Sequence, residues 1–308
     1  MASKVAYVFP GQGSQAVGMG LDLYKNVPAA KRVFDDADSI LGFSLSKICF
    51  EGPVTELTRT INTQPAIFVT SIACMRAAQE EGSGDGSPVF VAGHSLGEYT
   101  ALVAASSLSF EEALKLVRER GRLMEEAGIQ NPGGMAAILG MDESAVQEIC
   151  READVEIANI NCPGQIAISG FKDKVANAME IAKERGARRA VQLDVGGAFH
   201  SRLMQPASDG MAVAVADIKF KDATVPIVAN CTATPIVSDQ EIRDELLRQL
   251  LSPVRWQHSV EYMIQNGVNK FIELGSGNVL AGLIKRTNED VEVVNLGDTA
   301  SIRGGATG

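Results

Sequence analysis

No apolar run in this chain approaches the roughly 20 residues that a bilayer-spanning helix needs, which excludes an ordinary membrane anchor. Basic residues are in deficit. The 28 Lys and Arg against 38 Asp and Glu leave a formal charge of −10, where a nucleic-acid binder would carry a basic face. The same deficit means that an acidic partner would have to be met by a local basic patch, not by bulk attraction. The five cysteines (Cys49, Cys74, Cys150, Cys162 and Cys231) show no C-x-x-C spacing and sit mostly inside apolar stretches. They read as buried free thiols in a reducing compartment, with disulfides left open by spacing alone. Internal repeats and low-complexity linkers are absent. The chain enters a strand almost at once, at Lys4 to Phe9, so no signal or transit peptide is expected here unless one has been trimmed off.

What is present is an ordinary globular composition, 45% apolar and 21% charged over 308 residues, enough for a sizeable core. Apolar strand-like runs at 4–9, 88–93, 225–229, 270–274 and 291–296 alternate with helical patterns near 28–41, 64–80, 96–105, 109–127, 201–216, 238–251, 256–266 and 278–286. That alternation predicts an α/β fold on a parallel sheet. Capping boxes are expected at Ser109-x-x-Glu112 and Ser238-x-x-Glu241. Residues 304–308 read as a frayed tail. Between 135 and 195 the pattern runs strand (135–140), helix (143–153), strand (155–161), strand (165–170), helix (173–185), strand (188–195). This β-α-β-β-α-β order describes a ferredoxin-like unit, residues 133–197, inserted into a body made of 1–132 and 198–308. Gly133-Gly134 and Gly196-Gly197 are its expected hinges, and the cleft between the bodies is the default ligand site.

Val89 to Glu98 places Gly93-His94-Ser95-Leu96-Gly97 where an apolar run gives way to a helix, which is the G-x-S-x-G nucleophile elbow in context. The turn would expose the Ser95 hydroxyl and aim the Leu96 amide at an oxyanion. A serine hydroxyl needs a base, and there are only three histidines. His94 adjoins Ser95 and should pack under the turn, and His258 reads as a surface or capping residue. His200 opens a helix at the seam of the two bodies, so position and elimination make it the base. Arg120 falls in the apolar stripe of Ala113, Val117 and Met124, with Arg118, Arg122, Glu125 and Glu126 on the opposite face. A buried guanidinium must meet an internal carboxylate, for which Asp194 or Glu98 would serve, or one that arrives with the substrate. Gly11-x-Gly13-x-x-Ala16 imitates a dinucleotide fingerprint, but Asp35, Asp36 and Asp38 lie in a helical pattern where a second strand should end. The loop is better suited to supply a second backbone N–H to an oxyanion hole. Gly275-Ser276-Gly277-Asn278 reads as a close-packed turn.

Taken in order, these segments resemble the malonyl-CoA:acyl carrier protein transacylases, which load malonyl groups for fatty acid synthesis. The resemblance runs through Phe9 to Gln15, Thr63 to Ala66, Gly93 to Glu98, Arg118 to Gly121, Asn161 to Gln165, Phe199 to Ser201 and Arg248 to Leu250. It implies a hydrolase-like large domain with a ferredoxin-like insertion, Ser95 acylated, and His200 as base and then acid. It also implies the amides of Gln12 and Leu96 as oxyanion hole, Arg120 on the malonyl carboxylate, and a main-chain carbonyl near Gln249 orienting His200. Malonyl-CoA would be donor and acyl carrier protein acceptor, with no cofactor, metal, nucleic acid or membrane, in a cytoplasmic monomer or in a plastid stroma. Where many stand-alone members have a serine before the histidine, this chain has Phe199, similar to the malonyl-selecting acyltransferases of polyketide synthases. Two other readings of the serine remain: a hydrolase or thioesterase with water as acceptor, and a non-catalytic acyl-CoA or carrier-protein binding module.

Overall fold

The computed structural model describes residues 3–83 and 86–304. Residues 305–308, most of the expected tail, lie outside the described residues. The strands are β1 (Val5–Phe9), β2 (Phe90–Gly93), β3 (Gly133–Leu139), β4 (Glu156–Cys162), β5 (Gln165–Phe171), β6 (Arg189–Leu193), β7 (Ile227–Val228), β8 (Pro235–Ile236), β9 (Lys270–Leu274) and β10 (Glu292–Leu296). They form two sheets. The larger has the order β10-β9-β1-β2-β7-β8, parallel except for β8. Its inner strands are buried on both faces, which is why they read as unbroken apolar runs.

The smaller sheet is antiparallel in the order β4-β5-β3-β6 and carries the helices Glu143–Ala153 and Lys172–Glu184. Side chains alternate across it as strand geometry requires. Ala136, Ile138 and Ile168 pack with Val146 and Val175 of its own helices, while Met135 and Ala167 join the core of the large body. A short bridge fastens β4 to the large body. The Ile160 amide donates to the Val254 carbonyl at 2.9 Å, and the Val254 amide to the Ala158 carbonyl at 2.8 Å.

Several expectations need correction. The helix expected from 64 begins at Thr60 and passes through Pro65 to Glu81. Proline has no N–H for the Ile61 carbonyl, and Arg118 supplies the missing donor, its Nη1 lying 2.6 Å from that oxygen. Arg118 and Glu125 therefore face this helix, where Glu125 also accepts from the Ile61 amide at 3.2 Å; they do not lie on a free outer face. Gly133 and Gly134 are not a hinge but the first paired residues of β3. A Cβ at Gly133 would come within 2.6 Å of the Ala198 Cβ, so the position demands closeness and not freedom. At Ser238 the capping box is complete, but at Ser109 only half of it forms, because Glu112 turns to the hydroxyl at 2.6 Å and leaves the cap amide. The strand expected over 225–229 shrinks to Ile227–Val228, beyond which the Ala229 amide turns back to the Thr234 carbonyl. Short helices at Leu21–Asn26, Leu45–Glu51, Val54–Leu57 and Thr299–Gly304 are additions. Among the described residues no helix is long and apolar enough to cross a membrane.

Candidate active site

The turn from β2 into the helix Gly97–Ala104 sets Ser95 at φ 50°, in the left-handed region. Such a backbone is held only where the surroundings dictate it. Here both flanking glycines are pressed from outside. A Cβ on Gly93 would lie 1.9 Å from the Gly97 carbonyl carbon, and one on Gly97 would lie 2.1 Å from the Phe9 oxygen. The Ser95 amide donates to Asn230 Oδ1 at 2.7 Å, and Asn230 Nδ2 donates to the Gly93 carbonyl at 2.7 Å, so one amide side chain spans the elbow.

His200 meets the serine. Its Nε2 lies 2.8 Å from Ser95 Oγ, and its Nδ1 faces the main-chain oxygens of Gln249 at 2.9 Å and Ser252 at 3.2 Å. Two carbonyl acceptors fix Nδ1 as the protonated nitrogen and leave Nε2 a lone pair toward the hydroxyl. Burial, with the Arg120 charge next to it, lowers the imidazole from 6.5 to about 3. His200 is therefore a neutral ring at any ordinary pH. Its own φ is 57°, and a 3-10 turn, Arg202–Met204, stands between it and the helix Gln205–Ala216.

Arg120 is 1% exposed and enters from the helix Phe110–Gln130. Its Nη1 donates to Gln64 Oε1 at 2.7 Å; its Nη2 donates to Gln249 Oε1 at 2.9 Å and to Ser95 Oγ at 3.1 Å. The guanidinium also lies 5.3 Å from the centre of the Tyr99 ring, within cation–π range. None of these groups carries a negative charge. Neither carboxylate considered for an internal ion pair bonds it: Asp194 is exposed, and Glu98 bonds Gln249 instead, acting on the guanidinium directly only as a charge at a distance. Burial lowers the guanidinium pKa, yet the group remains a cation at neutral pH, without a bonded counter-ion.

Ser95, His200, Arg120, Gln12, Leu96 and Phe199 all line one cavity of about 110 Å³ between the two sheets, with Met135, Leu193 and Val195 of the smaller body on its other wall. Gln249 stands behind it, fully buried. His94, expected to pack away under the turn, also lines this cavity, with its ring against Trp256 and its Nε2 2.9 Å from Asn161 Oδ1. His258 is a half-buried partner of Glu143 at 3.2 Å, so it ties a helix of the large body to the small one. Asp35, Asp36 and Asp38 sit in the helix Pro28–Leu41 with no strand end near, which removes the dinucleotide reading. A Cβ at Gly275 would come within 2.6 Å of Pro10 Cγ, so that turn is close-packed. Among the described residues no group of acidic, histidine and cysteine side chains could hold a metal ion. Sequence reasoning missed Asn230, and it placed Gln64 only within a motif.

A hydroxyl with an imidazole partner and a buried cation, set at an elbow above a parallel sheet, defines an acyl-transferring class of enzyme, and residues 6–302 match the acyl transferase domain family. The malonyl CoA-acyl carrier protein transacylase of Bacillus subtilis (strain 168) is 48% identical over 305 residues, 97% of this chain and 95% of that protein. The crystal structure of an acyl carrier protein S-malonyltransferase from Vibrio cholerae O1 biovar eltor superposes with a TM-score of 0.94 at 43% identity, covering 98% of this chain and 99% of that one. A malonyl-transacylase solved in complex with a type II PKS acyl-carrier protein gives 0.95 at 40% identity, with 99% of each chain covered. This chain belongs to the malonyl CoA-acyl carrier protein transacylases and is an acyltransferase.

Proposed function

We propose that the chain moves a malonyl group from malonyl-CoA to the phosphopantetheine thiol of an acyl carrier protein by way of a malonyl-Ser95 ester, in fatty acid or polyketide synthesis. The names of its relatives support both substrates. The observation that carries the reading is Arg120, a buried guanidinium held only by neutral acceptors, 3.1 Å from the Ser95 oxygen. Such a cation is matched by the free carboxylate of a malonyl group, which two parallel N–H donors can take at once.

Chemically, His200 Nε2 takes the Ser95 proton as Oγ attacks the thioester carbonyl. The amides of Leu96 and Gln12 receive the oxyanion, and the imidazolium returns its proton to the departing CoA sulfur. The carrier thiol then repeats the sequence in reverse, losing its proton to His200 and taking the acyl group from Ser95. The Gln249 and Ser252 carbonyls orient the imidazole, so no acidic side chain is required. Phe199, 5% exposed on the cavity wall, narrows the space beside the α-carbon and would favour malonyl over methylmalonyl. We read residues 1–132 and 198–308 as a hydrolase-like body and 133–197 as its ferredoxin-like insertion, a division supported by the separate core of the smaller sheet. The free cysteines fit a reducing compartment, cytoplasm or stroma.

Intact mass after mixing with malonyl-CoA tests the reading. A single malonyl adduct, absent from Ser95→Ala and discharged by a carrier thiol, is expected. Malonate release without a carrier would instead make the protein a hydrolase, and binding without an adduct would make it a binding module.

A further inference from the structure

Behind the serine lies a carboxylate that the proposed chemistry does not use. Glu98 is 1% exposed, one turn beyond Ser95. Its Oε1 accepts from the Asn230 amide at 2.8 Å and from Asn230 Nδ2 at 3.1 Å, and its Oε2 accepts from Gln249 Nε2 at 2.5 Å. Every bonded neighbour of this side chain is a donor. Both amides it touches reach the site. Asn230 Oδ1 takes the Ser95 amide, and Gln249 Oε1 takes Arg120 Nη2 at 2.9 Å while Gln249 Nε2 also holds the Ser95 carbonyl at 3.0 Å.

A side-chain amide can turn over by exchanging its oxygen and nitrogen, and only its hydrogen-bond partners forbid it. Arg120 offers donors alone, so Gln249 must present oxygen to it. Burial and the nearby Glu245 raise the Glu98 pKa, but all three groups bonded to its oxygens are donors, so both oxygens act as acceptors and Gln249 must present nitrogen to Glu98. The two demands agree, and together they leave one orientation. We infer that Glu98 is the positioning residue for Arg120 and the elbow, acting through Gln249 and Asn230. This rests on the reading that Arg120 receives the acyl carboxylate.

Glu98→Gln separates this role from simple packing, because it keeps the shape and replaces one oxygen with a donor. Two donors already converge on Oε1, from the amide and Nδ2 of Asn230, so the glutamine oxygen stays there and its NH2 faces Gln249. Gln249 then turns, presents its own NH2 to Arg120 and displaces the guanidinium. The expected result is a KM for malonyl-CoA raised about tenfold to a hundredfold, with Ser95 labelling by a neutral sulfonyl fluoride changed less than about threefold. In an Arg120→Ala background the same substitution should add almost nothing to KM, since the residue it positions is gone. An unchanged malonyl-CoA KM, or equal losses in both assays, would overturn the inference. Should Glu98→Gln fail to fold, Glu98→Asp, which withdraws its acceptors from Gln249 and Asn230 alike, is read on the malonyl-CoA KM alone, where an unchanged value would overturn the inference. Failure of both to fold would assign Glu98 to the core and equally end the proposal. If Arg120→Ala itself leaves the malonyl-CoA KM intact, the carboxylate-binding reading falls first; if only the Glu98 variant does, that reading survives and the positioning role does not.

Discussion

At the scale of single residues, a buried cation without a bonded anion is costly unless something else compensates it. Arg120 has two neutral amides, one hydroxyl and an aromatic face. Removing it should therefore harm binding of a carboxylated donor far more than it harms the fold. Arg120→Ala is expected to reduce kcat/KM for malonyl-CoA roughly a hundredfold, with that for acetyl-CoA unchanged or raised; equal losses on both donors would contradict this. Phe199→Ser should relax discrimination between malonyl-CoA and methylmalonyl-CoA by about tenfold, and an unmoved selectivity ratio would remove Phe199 from the argument. His200 makes the pH dependence distinctive. Its folded value, about 3, lies below its ordinary 6.5, so the unfolded chain binds more protons there between the two. Stability from this group is thus complete above about 6.5 and drains away as pH falls toward about 3. As pH falls through that window the urea midpoint of wild type should drop relative to that of His200→Gln, which has no such group to protonate; a difference that stays constant with pH would mean that burial does not depress the imidazole. Ser95 acylation should likewise show no inflection near 6.5.

Elements explain why these residues meet. The elbow works because β1, β2 and the helix Gly97–Ala104 approach more closely than side chains permit. Gly97→Ala, whose new methyl would lie 2.1 Å from the Phe9 oxygen, should cost more than about 4 kcal/mol or prevent folding. The long helix Thr60–Glu81 makes a subtler case. Arg118→Met leaves the Ile61 carbonyl without a donor and should cost about 1–2 kcal/mol in urea melts. Pro65→Ala restores the backbone N–H in that variant, so the double substitution should recover part of the loss; strict additivity would deny the compensation. Much of this was legible in sequence. The elbow declared itself through glycine spacing at a strand-to-helix boundary, the parallel strands through unbroken apolar runs, and Arg120 through its place in an apolar stripe. Histidine scarcity left few choices for a base. What sequence did not carry were long-range polar pairings: Asn230 on the elbow across 135 positions and Gln249 on Arg120 across 129 have no local periodicity to betray them. Helix starts without side-chain caps, as at Thr60 and Leu21, were misplaced or missed for the same lack of a local signal.

For the whole molecule the question is how two sheets keep one cavity in register. The segment 249–254 answers it, because it is anchored at both ends. At one end the Gln249 and Ser252 carbonyls hold His200 Nδ1, and at the other Val254 pairs with β4 of the smaller sheet. The strut that fixes the width of the cleft is therefore also the strut that aims the base. Arg202 reinforces it from the other side, binding Asp154 at 2.9 Å and Glu156 at 3.1 Å just past His200, although exposed pairs of this kind contribute little alone. Val254 lines no part of the cavity, so its effect on chemistry should be indirect. Val254→Pro removes the N–H donated to the Ala158 carbonyl and leaves only the bond from the Ile160 amide, loosening one end of the strut. Reactivity of Ser95 toward a small sulfonyl fluoride is expected to drop about tenfold, because a base misaimed by a fraction of an ångström loses much of its advantage. A protein that lost stability but kept full Ser95 reactivity would show that the seam and the base are independent. In that event the Ser252 and Gln249 carbonyls would hold the imidazole through the turn alone, and the smaller sheet would serve only as a wall.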